Sequence, residues 1–349
     1  MTAQPVMVVH GPEIFDCGEV GWLIDTISPM RTIVAGVMAR TAAEESGLPV
    51  EFQGDPPSLI INRLPDPVFL ANHGKTAESG QIFGDIIASR LPGRGLVHVE
   101  CSSRTVYIWD AGDKALASAL SHLTGFTFKE AASTYCMVPG ERVIRGCIPG
   151  EPVYINGIII GRATLGTVIL RNSDNFGIEP VIGLAPKVHG IRKVVRQGRV
   201  DLAAAWCKSG SIRTALPHEG ARAVRAGRVV VIDHCGHQIY QKIGTDCCGV
   251  LSIGDDTTAV CGHICAHRGI PVLGIVDGDR DTIVTEAFPR GSVVVHAVSE
   301  RDDDIGSELV PMAEKHPVVW DEWVDLVLEM LGDRVRVVVD TRVKRNAVR

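Results

Sequence analysis

The stretch VVVIDHCGHQ at residues 229–238 is followed by two others of the same build, VLSIGDDTTA at 250–259 and PVLGIVDGDRD at 271–281. Each opens as a short run of Val, Ile and Leu and ends in Asp, His or Cys. A brief apolar run bounded by Gly and polar residues reads as a strand buried on both faces, the form strands take in parallel sheets. In an open parallel sheet, ligands bind beyond the carboxyl ends of the strands. Three such strands in one sheet would bring Asp233, His234, His237, Asp255, Asp256, Asp277, Asp279 and Asp281 to one edge. That edge is the expected site.

Outward from these strands the alternation continues. Helix TTAVCGHICAHRG (257–269) follows the second strand and is expected to end at Gly269. SVVVHAV (292–298), helix WDEWVDLVLEML (320–331) and strand RVRVVVD (334–340) complete a domain over residues 221–349. The first 145 residues carry the same rhythm. Strands are expected at PVMVVHG, RTIVAG, SLIINRL, PVFLANHG and LVHVECSS, with helices at CGEVGWLIDTIS, MARTAAEESG, SGQIFGDIIASRL and DKALASALSHLTG. Between them, GEPVYINGIIIGRATLGTVILRN (150–172) is β-branched with Gly and Asn turn signals, and DLAAAWCKSG (201–210) is compatible with one helix. The expected fold class is therefore α/β: two Rossmann-like, mostly parallel-sheet domains at 1–145 and 221–349, with a smaller β-rich or mixed module at 146–220.

The chain has 349 residues, of which 45% are hydrophobic and 22% charged, which is enough apolar material for two or three packed domains. Only 5% are aromatic and the formal net charge is −6. Both argue against a nucleic-acid binder, which needs stacking rings and positive charge. No apolar run approaches the roughly 20 residues of a membrane helix. MTAQPVMVVHG has no charged segment followed by a long apolar one, so no secretory signal is expected. The ten cysteines then read as reduced thiols of a cytoplasmic protein, and their number hints at a low-oxygen host.

Three groups carry chemistry. In GDDTTA, Gly254, Asp255, Asp256, Thr257 and Thr258 stand where a strand passes into a helix. The free N–H groups at a helix start favour phosphate, and a threonine there can cap the helix and touch a ligand. An aspartate serving as a plain cap is the structural alternative. In VDGDRD, Asp277, Asp279 and Asp281 alternate, so an extended chain puts them on one face, suited to Mg²⁺. A tight turn explains the same residues. The run Glu300, Asp302, Asp303, Asp304 follows strand SVVVHAV and could face the same edge, but a solvated loop is the expectation.

The third group is His234, Cys235, His237, Cys247, Cys248, Cys261, His263, Cys265 and His267. Ligands four apart on a helix can hold Zn or Fe, although no CxxC pair occurs and buried Cys is also an ordinary core residue. Asp233, His234 and His237, at a strand end, are the candidate catalytic residues. In the first domain, Gly74-Lys75-Thr76 resembles the end of a phosphate-binding loop, but Phe69 stands where that motif needs Gly. Lys75 and Thr76 are kept as candidate phosphate contacts. His10, Glu13, Asp16 and Cys17 follow the first strand, at a second candidate edge that Arg40 and Thr41 could join.

HGPEIFDCGE near the start and GDDTTAVCGHICAHRGIPVLGIVDGDRD near the end resemble an uncharacterised archaeal, largely methanogen, protein family of unknown function. The resemblance implies a cytoplasmic archaeal protein and no particular activity. The second domain is also faintly similar to the toprim fold, which holds Mg²⁺ with an acid after its first strand and an Asp-x-Asp pair. Asp277 and Asp279 match that pair, while Asp233 stands where the fold usually has Glu.

The leading expectation is a Mg²⁺-dependent enzyme acting on a nucleotide or other small phosphorylated molecule. A Zn or Fe redox protein and a non-catalytic ligand sensor are the alternatives. Self-association into a homo-oligomer is left open.

Overall fold

The computed structural model describes residues 4–65, 67–134, 138–173, 177–196, 200–202, 205–210, 213–221, 224–277, 287–314 and 317–342. The chain forms two compact units: Met1–Ile155 with Ile159–Ala215, and Asn156–Ile158 with Leu216–Arg349. Both are mixed α/β with parallel-containing sheets.

The first unit carries a seven-stranded sheet. Its strands are β1 (Val6–His10), β2 (Arg31–Ala35), β3 (Glu51–Gln53), β4 (Val68–Asn72), β5 (Leu96–Glu100), β6 (Thr105–Trp109) and β7 (Thr127–Ala131), in the order β3-β2-β1-β4-β5-β6-β7. Neighbours are parallel except β5 and β6. Apolar side chains fill both faces of the central strands, as covering helices require. Those helices are α1 (Glu13–Asp16), α2 (Glu19–Ile27), α3 (Val37–Ser46), α4 (Pro57–Arg63), α5 (Ala77–Ala88) and α6 (Lys114–Thr124). In α2, Val20, Leu23 and Ile27 recur at helical spacing and are buried.

SLIINRL is helix α4, not the expected strand. Pro57 opens it at a position where the missing N–H costs nothing, and its buried side chains include the adjacent pair Ile60 and Ile61. The remainder of the unit is β-rich. A three-stranded sheet joins β8 (Glu141–Arg145), β11 (Thr167–Asn172) and β12 (Ile178–Ile182). A four-stranded sheet joins β9 (Pro152–Ile155), β10 (Ile158–Ala163), β13 (Leu184–Pro186) and β14 (Cys207–Ser209). Helix α7 (Val188–Arg196) lies between β13 and β14 in the chain. The helix entertained over DLAAAWCKSG gives way to β14, whose Cys207–Ser209 pairs antiparallel with Val153–Ile155.

The second unit is built on β15 (Ala226–Asp233), β16 (Cys247–Ile253), β17 (Val272–Val276) and β18 (Val293–Ala297). These four lie side by side in chain order, all parallel. The antiparallel strands β19 (Val318–Val319) and β20 (Val335–Asp340) close the two edges. The helices are α8 (Ile239–Lys242), α9 (Asp255–Arg268), α10 (Asp302–Glu314) and α11 (Trp320–Leu331). On one face, Leu251, Leu273, Ile275 and Val295 pack with Ile305 and Leu309 of α10 and with Trp320, Trp323 and Val327 of α11. On the other face lies α9, which is buried nearly all round and ends at Gly269 in the left-handed conformation. There Ser252 Oγ and Thr258 Oγ1 are hydrogen-bonded at 2.9 Å. A side chain on Gly274 would fall 2.4 Å from Thr258 Cγ2, so this glycine lets α9 lie close to the sheet.

The acidic run expected in a solvated loop is the first turn of α10. Asp302 there is fully buried, because the helix packs across the same sheet that positions the site. Among the described residues, no helix is long and apolar enough to cross a membrane.

Candidate functional site

The carboxyl ends of the parallel strands of the second unit carry the acids. Asp233 is the last residue of β15, Asp255 follows β16 by two residues, and Asp277 directly follows β17. Asp302 enters from the start of α10. Backbone bonds lock these ends together: His234 N–H donates to Ile253 O at 3.2 Å, and Gly254 N–H donates to Ile275 O at 3.0 Å. The parallel register thus brings together residues that lie far apart in the chain.

Carboxylate oxygens of Asp255, Asp277 and Asp302 lie within 4.8 Å of one another. Asp255 Oδ1 is wholly enclosed and has no hydrogen-bond partner among the described residues. The Asp255 carboxyl is pushed up to about 9, first by burial and then by Asp277, with Asp302 and Asp256 adding to the effect. Burial and like charge both penalise the ionised form, and a bound proton or a cation relieves them.

Helix α9 begins at this cluster. Its N-cap is Gly254, at φ 103°, with no side-chain cap bond. The first-turn N–H groups of a 14-residue helix therefore have no side-chain cap, which suits an anion. Neither threonine of GDDTTA takes the capping role. Thr257 and Thr258 are buried, and Thr258 is bonded to Ser252 in the core. Asp255 and Asp256 lie in the first helical turn rather than at the cap.

A second group adjoins the first. Asp233, His234 and Asp303 also offer ligand atoms within 4.8 Å of one another. His234 has φ +48°, a left-handed conformation uncommon for a residue with a side chain. Its Nδ1 is hydrogen-bonded to Asp233 Oδ1. Its Nε2 lies 3.9 Å from Asp302 Oδ2 and 3.8 Å from Asp303 Oδ1. The ring lies over Gly254, where a Cβ would come within 2.9 Å of Nε2.

Other expected residues lie elsewhere. His237 is exposed on the 3-10 turn Gly236–Gln238 and belongs to neither ligand group. Asp279 and Asp281 lie outside the described residues. Lys75 and Thr76 are in the first unit, where Lys75 Nζ pairs with Glu151 at 2.7 Å. Thr76 caps α5 in a reciprocal box with Ser79. Of the second candidate edge, Asp16 is hydrogen-bonded to the buried Arg213, and His10 Nδ1 lies 2.9 Å from Ala35 O.

The thiols have a different character. Cys247, Cys248, Cys261 and Cys265 are buried. Burial pushes the Cys247 thiol up to about 11 and raises Cys261 and Cys265 as well. These are properties of small core side chains. Among the described residues, neither group of three converging ligand atoms contains a cysteine.

Asp302 and Asp303 are the site residues that sequence reasoning undervalued. Their one sequence signal was an acidic cluster soon after a buried strand. That cluster also opens an amphipathic pattern, with Ile305 and Leu309 falling on the core face.

Comparison with known proteins gives a consistent placement. Residues 7–316 match a family model described as an uncharacterized protein conserved in archaea (DUF2117). The chain is 30% identical over 325 residues to the uncharacterized protein MJ0065 of Methanocaldococcus jannaschii, covering 86% of this chain and 88% of that one. No solved structure matches the chain. With most of its length inside the family model and an archaeal relative aligned nearly end to end, the chain belongs to the conserved archaeal family DUF2117.

Proposed function

We propose that this protein is a Mg²⁺-dependent enzyme acting on the phosphate group of a nucleotide or a phosphorylated metabolite. The observation that carries the reading is the convergence of Asp255, Asp277 and Asp302 around the enclosed Asp255 oxygen. Mg²⁺ takes oxygen ligands and bridges to substrate phosphates. The start of α9, beginning at Asp255 itself, supplies backbone N–H groups for a phosphate held against that ion. The metal would neutralise charge on the phosphate oxygens while the helix start fixes their orientation. Both mostly parallel sheets are read as Rossmann-like, with ligand sites at strand carboxyl ends. The toprim likeness fits the same reading, since Asp233 and Asp277 close the first and third parallel strands of the second unit.

The test is Mg²⁺-dependent release of phosphate from a panel of nucleotides and phosphorylated metabolites, using wild type and Asp277→Asn. Turnover that falls by roughly 100-fold or more in the variant supports the reading. Wild-type protein that neither binds Mg²⁺ nor turns over any phosphorylated compound refutes it.

Cation affinity carries a pH signature. With its carboxyl pushed up to about 9, Asp255 holds a proton at pH 7 in the metal-free protein. A cation must displace that proton, so affinity for Mg²⁺ is expected to rise by nearly tenfold per pH unit between 7 and 8 and to level off above about 9. The metal-free fold responds in the opposite sense. Asp255 binds its proton more tightly folded than unfolded, so its contribution to stability is full below the ordinary carboxylate range and is lost as pH rises toward 9. Isothermal titration at several pH values and thermal melts of chelated protein read the two trends. A flat pH profile in both would count against the buried acid cluster.

A further inference from the structure

We infer that a second divalent cation binds beside the first, held by His234 Nε2 with the carboxylates of Asp302 and Asp303, so that the site is a two-metal centre with Asp302 at its middle. The inference rests on the three-acid reading for its first metal. Its second metal rests on His234.

The His234 side chain is 9% exposed and Nε2 has no hydrogen-bond partner among the described residues. A buried ring nitrogen without a partner is costly unless something is bound to it. The Asp233 carboxylate engages Nδ1 and, as an acceptor, selects the tautomer with the proton there. Nε2 then lies 3.9 Å from an Asp302 oxygen and 3.8 Å from an Asp303 oxygen. A positive charge beside Nε2 would be stabilised by the ring nitrogen and by each of these carboxylates.

The spacing fits a metal. Ligand atoms about 2.0–2.2 Å from one ion stand about 2.8–4.4 Å apart, according to the angle between them. Both measured separations fall in that window. Asp233 then plays the outer part of a carboxylate–histidine–metal triad, orienting the ring and raising its basicity. Positive φ at His234 and the absence of a side chain at Gly254 are what let the ring lie at this spot.

One imidazole and two carboxylates suit a first-row divalent ion such as Mn²⁺, Fe²⁺ or Zn²⁺ better than Mg²⁺. Because Asp302 belongs to the first group and also faces His234, two ions would lie close together. Two metals about 3.5–4 Å apart can clamp both the attacking and the leaving oxygen of a phosphate displacement.

The experiment is a titration of chelator-stripped full-length protein with Mn²⁺, with free and bound ion followed by electron paramagnetic resonance. Wild type is expected to take up two Mn²⁺ per chain, with the spectrum of a magnetically coupled pair. His234→Asn is expected to take up one, with the spectrum of an isolated ion. Asn tolerates the left-handed backbone of residue 234, and circular dichroism checks that the fold is kept. Asp233→Asn should weaken the second ion by roughly 10- to 100-fold and leave the first in place.

A single Mn²⁺ in wild type, kept in His234→Asn, overturns the second site and leaves the three-acid reading standing. A single ion lost in His234→Asn overturns the pair and moves the metal away from the three acids. Two ions retained in His234→Asn overturn the assignment to this histidine. No bound Mn²⁺ in wild type overturns both readings.

Discussion

Asp302→Asn is expected to weaken Mg²⁺ binding by roughly 100-fold or more while leaving the metal-free fold as stable as wild type, or more so. The two halves of this result have one cause. The Asp302 side chain is 1% exposed and stands within 4.8 Å of the carboxylates of Asp255 and Asp277. In the absence of a cation Asp302 adds to the like charge that, with burial, keeps Asp255 protonated in a poorly solvated place. Asparagine keeps the shape, and its side-chain oxygen can still accept the 2.9 Å bond from Asp303 N–H. It removes the charge that holds the ion. Were Asp302 only a structural residue at the start of α10, the substitution would lower stability and leave metal binding unchanged. Isothermal titration and denaturant unfolding on the same preparations separate the two outcomes.

Trp320→Ala is expected to cost about 3–5 kcal/mol of stability. Trp320 is wholly buried at the start of α11 and, with Trp323, is among the largest side chains of the second unit's core. Its Nε1–H donates to Gly291 O at 2.8 Å, a bond that alanine would leave unmade. Gly249 lies directly beneath the ring, where an added Cβ would meet Trp320 Cε3 at 2.0 Å. The indole therefore fits against bare backbone. Gly249→Ala should destabilise the same region by forcing the indole aside. Chemical denaturation of both variants measures these losses, and a change under 1 kcal/mol for Trp320→Ala would contradict the packing described. Trp320 sits against Gly249 and Gly291, near the amino ends of β16 and β18, while the acids lie at the carboxyl ends of the strands, so a folded fraction of this variant should keep its cation affinity.

The sequence made the strands of the site legible because their signal is local. VVVID, VLSI and VLGIV are apolar without alternation, and strands buried on both faces look like that. Asp255 and Asp277 follow from the same runs, since a residue just past a parallel strand is delivered to the sheet's edge. Asp302 was harder. Three consecutive aspartates read as solvated, and the burial of the first depends on where α10 crosses the sheet, a long-range fact. The engagement of Lys75 with Glu151, 76 residues away, was hidden for the same reason. SLIINRL misled through composition: branched apolar residues favour strands, yet Pro57 and the packing of Ile60 and Ile61 against the first sheet set a helix. The cysteines near the site are spaced for ligation in one dimension, but in three Cys261 and Cys265 lie in the core.

The central claim is that Asp255, Asp277 and Asp302 hold a divalent cation. Crystals soaked in Mn²⁺ and measured at the manganese absorption edge address it directly. The account predicts an anomalous peak within about 2.0–2.3 Å of a carboxylate oxygen from each of the three residues. A well-ordered site with no peak among these oxygens at millimolar Mn²⁺ would contradict it.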